Sequence, residues 1–263
     1  MSVLDAKRWP ALLRKLRLPE TAPGEFLSPP PAPPASDPLT HQAVYALLLW
    51  EASTSQAHAA LRRVLSAVVD YNELRVCQAE HIAEWLGEKY PLAMERALRL
   101  RAFLEDVYQR QQSVQVSPLL LGSRKDTYQT LAALEGMTPF AAARVVALGL
   151  SRPACPIDER LLALLRREKA VAADASVEAI GQELGDMAGD DGRVELLAKL
   201  QYWSDHEGHA PHREVPGREP VPTSAEVESA RGPRTTRATH THGPGESPRP
   251  RAKRAKGQPP AGA

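Results

Sequence analysis

The chain has 263 residues, 43% of them hydrophobic and 25% charged, with a formal net charge of +1. Its longest unbroken apolar run, residues 43–50, falls far short of the ~18 residues that span a bilayer, which excludes membrane insertion. Cys77 and Cys155 alone exclude a disulfide framework, a four-cysteine zinc site and a four-cysteine iron–sulfur cluster built from this chain.

Proline divides the sequence into parts. Residues 1–38 hold 9 of the 24 prolines and residues 206–263 another 10, leaving 5 for the 167 residues between, so the folded domain is expected at 39–205. Residues 1–18 read as a short basic amphipathic helix around Trp9, Leu12, Leu13 and Leu16, stopped by Pro19 and free either to dock or to project. They lack the apolar stretch and small-residue cleavage site of a secretory signal, so a cytoplasmic location is expected. Residues 19–38, with Pro29, Pro30, Pro31, Pro33 and Pro34, are expected to run as a polyproline-type linker that spaces rather than folds.

Within the domain the apolar period is helical. Leu61, Val64, Leu65, Val68 and Val69 make one stripe, and Ala97, Leu100, Leu104, Val107 and Tyr108 a second. Ile157, Leu161, Leu164 and Leu165 form a third, and Leu196, Leu197, Leu200 and Trp203 a fourth. No clean period-2 stretch competes and no fixed repeat suggests a solenoid, so an all-α assembly of about eight to ten helices is predicted. From 206 onward large apolar side chains are nearly absent, which predicts disorder. Residues 231–263 carry 8 Lys or Arg against one acid, a charge of +7, while the rest of the chain has 25 bases against 31 acids, −6. A basic tail on an acidic body suits a polyanion such as DNA or serves as a solvating extension.

The informative stretch is 123–167. Ser123 is a candidate N-cap with Asp126 three residues on, and the helix it opens should reach about Leu134. In Gly136-Met137-Thr138-Pro139, glycine permits positive φ, threonine can cap, and proline suits the first helical position. A sharp reversal into a second helix, a helix-hairpin-helix, is therefore predicted, with backbone N–H groups at its turn offering a seat for phosphate. Arg124, Lys125 and Arg144 flank the turn, and with Gly136, Met137 and Thr138 they are the candidate DNA-binding residues. Asp158 stands at the start of a later helix.

These segments resemble the endonuclease III-like superfamily of DNA glycosylases, in which a Gly-containing hairpin is followed by an aspartate at a helix start. The matching residues are 134–142 and Ile157-Asp158, and the eighteen-residue interval from Phe140 to Asp158 is the family's. The resemblance implies a two-lobed helical domain, double-stranded DNA as partner, damaged DNA included, and Asp158 as the catalytic carboxylate steadying an oxocarbenium-like sugar or orienting water. The same aspartate is also an ordinary N-cap. The sequence departs from the family in four places, the first being that the family's iron–sulfur cysteines are absent after Asp158, as in its cluster-free branches. Phe140 occupies the position of the Schiff-base lysine, closing the lyase route. Thr138 replaces the second hairpin glycine, and Ala52 stands where relatives place a base-filling glutamine.

The expectation is a DNA-binding relative of endonuclease III, either a monofunctional glycosylase of base excision repair or a member whose catalysis has lapsed. The alternative is a non-enzymatic helical interaction protein. No cofactor is expected. His206, His209 and His212 recur at threes, but Gly208 and Pro211 break helical presentation and no metal site is predicted.

Overall fold

A computed structural model describes residues 2–120 and 124–208, with backbone alone at Arg124 and Lys125. His209, His212 and the basic tail lie outside the described residues, as does Ser123. Eleven α-helices are found among them: α1 (Arg8–Lys15), α2 (Pro23–Leu27), α3 (Pro38–Leu49), α4 (Thr54–Ala67), α5 (Tyr71–Val76), α6 (Ala79–Leu86), α7 (Ala93–Gln111), α8 (Arg124–Ala132), α9 (Pro139–Arg144), α10 (Glu159–Arg167) and α11 (Val177–Glu207). Within α11, Gly189 at φ 58° and ψ −174° breaks the helix with a kink. None of the helices is long and apolar enough to cross a membrane, among the described residues.

Local chemistry sets the helix starts. Asp37 caps α3 through the Thr40 amide, and the same carboxylate accepts from the amides of Val116 and Ser117, tying the loop after α7 to the start of α3. Ser53 and Gln56 form a reciprocal capping box on α4. Asp70 caps α5 and Ser176 caps α11.

Two cores organise the helices. The first gathers buried residues from Ala43 to Val146 around α3, which is enclosed from Thr40 to Leu49. The second joins Trp9, Leu12, Leu16 and Leu27 to Ile157, the Leu161–Leu165 stripe and the α11 stripe ending at Trp203. The four predicted stripes supply these cores, with the exceptions of Val69, which is exposed before α5, and Tyr108, which is half-buried with Arg75 over its ring.

The N-terminal helix therefore docks, and it docks against the C-terminal part of the chain. Asp5 N–H donates to the Ala170 carbonyl and Ala172 N–H to the Val3 carbonyl, both at 2.9 Å, beside a Leu4–Val171 bridge. The Pro-rich stretch does more than space. Leu27, 2% exposed, anchors α2 in the second core, and the Pro30 carbonyl takes a 2.7 Å hydrogen bond from His41 Nε2. Proline suits the first turn of α2, and burying one leucine contributes roughly 1.5–3 kcal/mol, enough to hold the segment down.

α8 is joined to α9 through residues 133–138. Gly136 adopts φ +74°, and Thr138 caps α9 by accepting from the Ala141 amide at 3.1 Å, with Pro139 in the first turn. A Cβ at 136 would lie 2.2 Å from the Arg99 carbonyl oxygen of α7. Replacing Gly136 by Ala should therefore cost about 2–4 kcal/mol from the left-handed backbone and the clash together, read as a lowered urea midpoint. A shift of less than about 0.5 kcal/mol would mean that the turn is not pressed on α7.

Candidate functional site

Around the turn between α8 and α9, Glu135 and Pro139 are exposed and Gly136 is half-buried. Gly136 abuts the α7 backbone, and Met137 and Thr138 are buried. Thr138 Oγ1 is engaged by its own helix. Glu135 N–H donates to Asp106 Oδ2 at 2.9 Å and Met137 N–H to the Leu134 carbonyl at 3.1 Å. Burial of the Met137 and Thr138 side chains leaves phosphate contact at Gly136, Met137 and Thr138 to their backbone N–H groups, which remains the expectation for this turn. Arg144 does not face solvent. It is 1% exposed, with Nη2 donating to the Leu27 carbonyl at 2.7 Å and its guanidinium 5.3 Å from the Tyr45 ring centre. Its helix face turns inward because the neighbours Ala141, Ala142 and Val145 are core residues. The side chains of Arg124 and Lys125 lie outside the described residues.

Asp158 is the N-cap of α10. Its Oδ1 accepts from the Leu161 amide at 2.8 Å and its Oδ2 from the Glu51 amide at 3.2 Å, and the residue is 7% exposed. Beside it lies a cavity of about 10 Å³, bounded by Phe140 and Arg144 of α9, Leu161 of α10, and Leu197, Leu200 and Gln201 of α11. Ligand pockets run to roughly 300–1,000 Å³, so this space admits no base. The interface is pinned shut by Asp205 of α11, whose Oδ1 accepts from the Thr54 amide at 3.1 Å and from Gln201 Nε2 at 2.9 Å. Phe140 is buried at the lysine position and brings no nucleophile. Ala52 is buried as well, so no base-filling side chain projects from that turn.

Sequence reasoning missed Glu51. It follows α3 with φ +56°, is 7% exposed, and its Oε1 accepts from the Glu159 amide at 2.9 Å while Asp158 takes the Glu51 amide. The two acids thus lace the end of α3 to the start of α10. Burial, and then the neighbouring Asp158 charge, push the Glu51 carboxyl up to about 7. Burial also raises Asp158, against the opposing pull of its amide donors. In such a pair each negative charge makes the other harder to form. Glu51 Oε2 is buried with no hydrogen-bond partner among the described residues. The available signal was an acid placed directly between the apolar run ending at Trp50 and the capping Ser53.

A second cleft of about 610 Å³ lies between α8, α9, residues 153–157 and the first half of α11, and shares no lining residue with the Asp158 cavity. Its Cys155 thiol is pushed up to about 12 by burial, which removes it as a nucleophile at neutral pH. Among the described residues no group of three or more His, Cys, Asp or Glu is arranged to hold a metal ion.

No protein-family model and no curated protein matches the sequence. Solved structures do. A non-covalent endonuclease III–DNA complex is 12% identical, with 82% of this chain and 92% of that chain covered and a TM-score of 0.55. A trapped endonuclease III–DNA covalent intermediate is 13% identical, covering 70% and 81%, at 0.51. A thermostable thymine-DNA glycosylase is 13% identical, covering 75% and 86%, at 0.50. At these identities the likeness is one of fold, and the chain has the all-α fold of the helix-hairpin-helix DNA glycosylases.

Proposed function

We propose that this chain is a DNA-binding protein on a glycosylase-like fold in which base excision has lapsed. The observation that carries the reading is the enclosure of Asp158: a carboxylate at the reacting position must face a space that holds an everted nucleotide, and here it faces about 10 Å³ walled by Phe140 and α11. Its two oxygens serve as cap and as strut between α10 and the turn after α3. With Phe140 at the lysine position, no amine stands there to attack a sugar. The fold's resemblance to DNA complexes and the +7 charge of residues 231–263 support DNA as the partner.

A second reading is favoured by Glu51. A buried acid held near 7 beside an ionisable partner is the kind of pair that protonates a leaving group, and parting α11 from α4 would uncover both. The chain would then be a monofunctional glycosylase that opens on its substrate.

Lesion preference separates the two. With labelled duplexes that differ only in one uracil, abasic or mismatched position, a closed pocket gives affinities within about twofold of the undamaged duplex, because no base is taken in. Borohydride should trap no adduct on abasic DNA. A tenfold or greater preference for a lesion, a trapped adduct, or no duplex binding at low salt would each overturn the proposal.

A further inference from the structure

Lys7, Arg8, Arg14, Lys15 and Arg17 lie on and around α1, all five exposed, with no acid between positions 7 and 17. Among the described residues none of them forms an ion pair with a carboxylate. The nearest acid in sequence, Asp5, spends its Oδ1 on the backbone amides of Lys7 and Arg8. Arg14 and Lys15 sit in the last turn of α1, where the helix dipole favours cations. Lys7 and Arg8 sit at its start, where the dipole opposes them, and the first turn carries no acid. Helix stability accounts for two of the four and runs against the other two.

The other face of α1 is already used. Trp9, Leu12 and Leu16 are buried in the second core, and the segment before the helix is fastened by the Leu4–Val171 bridge and by Val3 N–H donating to Glu183 Oε2 at 2.7 Å. An amphipathic helix binds a lipid surface by inserting its apolar face, and this one has none to offer. What it presents is a row of exposed cations with Asp5 as the neighbouring acid, its carboxyl held low by the Arg8 and Lys7 amides first and in part by their charges, and such a row releases condensed counterions from a polyphosphate.

We infer that the exposed basic face of α1 is a docking surface for the phosphate backbone of duplex DNA. The inference rests on the DNA-binding reading above. The test uses the full chain and a fluorescein-labelled, undamaged 20-base-pair duplex, with anisotropy followed from about 50 to 200 mM NaCl. In a combined Lys7→Gln, Arg8→Gln, Arg14→Gln, Lys15→Gln variant, the slope of log affinity against log salt should flatten by about 3–4. Each single replacement should flatten it by about 0.9, which preserves the test where the combined variant is poorly folded by circular dichroism. A full chain with its eight tail cations at 231–263 replaced by serine should retain the α1-dependent part of the slope.

An unchanged slope in the single and combined α1 variants, with binding lost in the tail variant, would overturn the α1 surface and leave the DNA reading standing. Absence of duplex binding by the unaltered chain would sink both. Tighter binding to vesicles containing 30% phosphatidylserine than to the duplex, dependent on the same four residues, would assign the surface to membranes instead.

Discussion

Replacing Glu51 by Gln should stabilise the protein at pH 8 and leave it nearly unchanged at pH 4. The carboxyl is raised from 4.5 to about 7 in the folded protein, by burial first and by Asp158 second. A group whose folded value lies above its unfolded one favours the folded state while it is protonated. Its contribution is fully present below 4.5 and is lost as pH rises through about 7. The loss is on the order of 3 kcal/mol by pH 8. Glutamine keeps an oxygen for the Glu159 amide and removes the charge beside Asp158. Urea midpoints of the two proteins should therefore coincide at pH 4 and separate between pH 5 and 8, with the variant higher. A variant equally or less stable at pH 8 would show that the buried charge is compensated in a way the geometry does not contain.

The second large effect is expected at Arg96. This side chain is 0% exposed on α7, and its Nη1 donates to the Leu48 carbonyl at 2.8 Å while Nη2 donates to the Trp50 carbonyl. Tyr90 packs its ring 4.8 Å beneath the guanidinium and donates its hydroxyl to the same Leu48 carbonyl at 2.6 Å. Arg96 thus satisfies carbonyls at the end of α3, one residue before Glu51, and its charge attracts both Glu51 and Asp158. Arg96→Ala should cost about 3–5 kcal/mol, because it strips the Trp50 carbonyl, leaves the Leu48 carbonyl to Tyr90 alone, and removes one of the buried cations near the acid pair, Arg160 being another. Against a total stability of roughly 5–15 kcal/mol, that brings the chain near unfolding. Arg96→Lys should recover little, since one ammonium does not reproduce the forked contact to two carbonyls. Circular dichroism melts check both, and a loss under about 1 kcal/mol in Arg96→Ala would contradict the clamp.

The all-α architecture was legible because the stripes at 61–68, 97–107, 157–165 and 196–203 depend only on a 3.6-residue period and on burial of one face. Capping was legible for the same local reason: Thr138 and Asp158 each bond an amide three residues on, and that geometry needs nothing distant. What failed depended on partners far along the chain. Arg144 reads as a surface cation until Leu27, 117 residues earlier, presents its carbonyl. Leu27 itself is one apolar residue in a Pro-rich stretch, and the groove that receives it is built from α11. Met137 and Thr138 sit in a turn whose composition suits exposure and burial equally, and both are buried, Met137 within the first core.

The candidate site was half legible. The interval from Phe140 to Asp158 located the carboxylate, but no local pattern encodes whether the space beside it is open. That space is set by Leu197, Leu200 and Gln201, which arrive from a helix some forty residues later. Glu51 escaped notice because an acid after an apolar helix usually faces water, and its burial follows from the reciprocal bonds with Asp158 and Glu159.

The most direct test of the closed pocket is single-turnover base release, with the full chain in excess over duplexes carrying uracil, an alkylated purine, an oxidised pyrimidine or a mismatch, between pH 6 and 8. The account predicts no release above the uncatalysed background from any of them, and identical traces for Asp158→Asn. Release from even one duplex, abolished by Asp158→Asn, would contradict it and establish that the Asp158 pocket opens to a base.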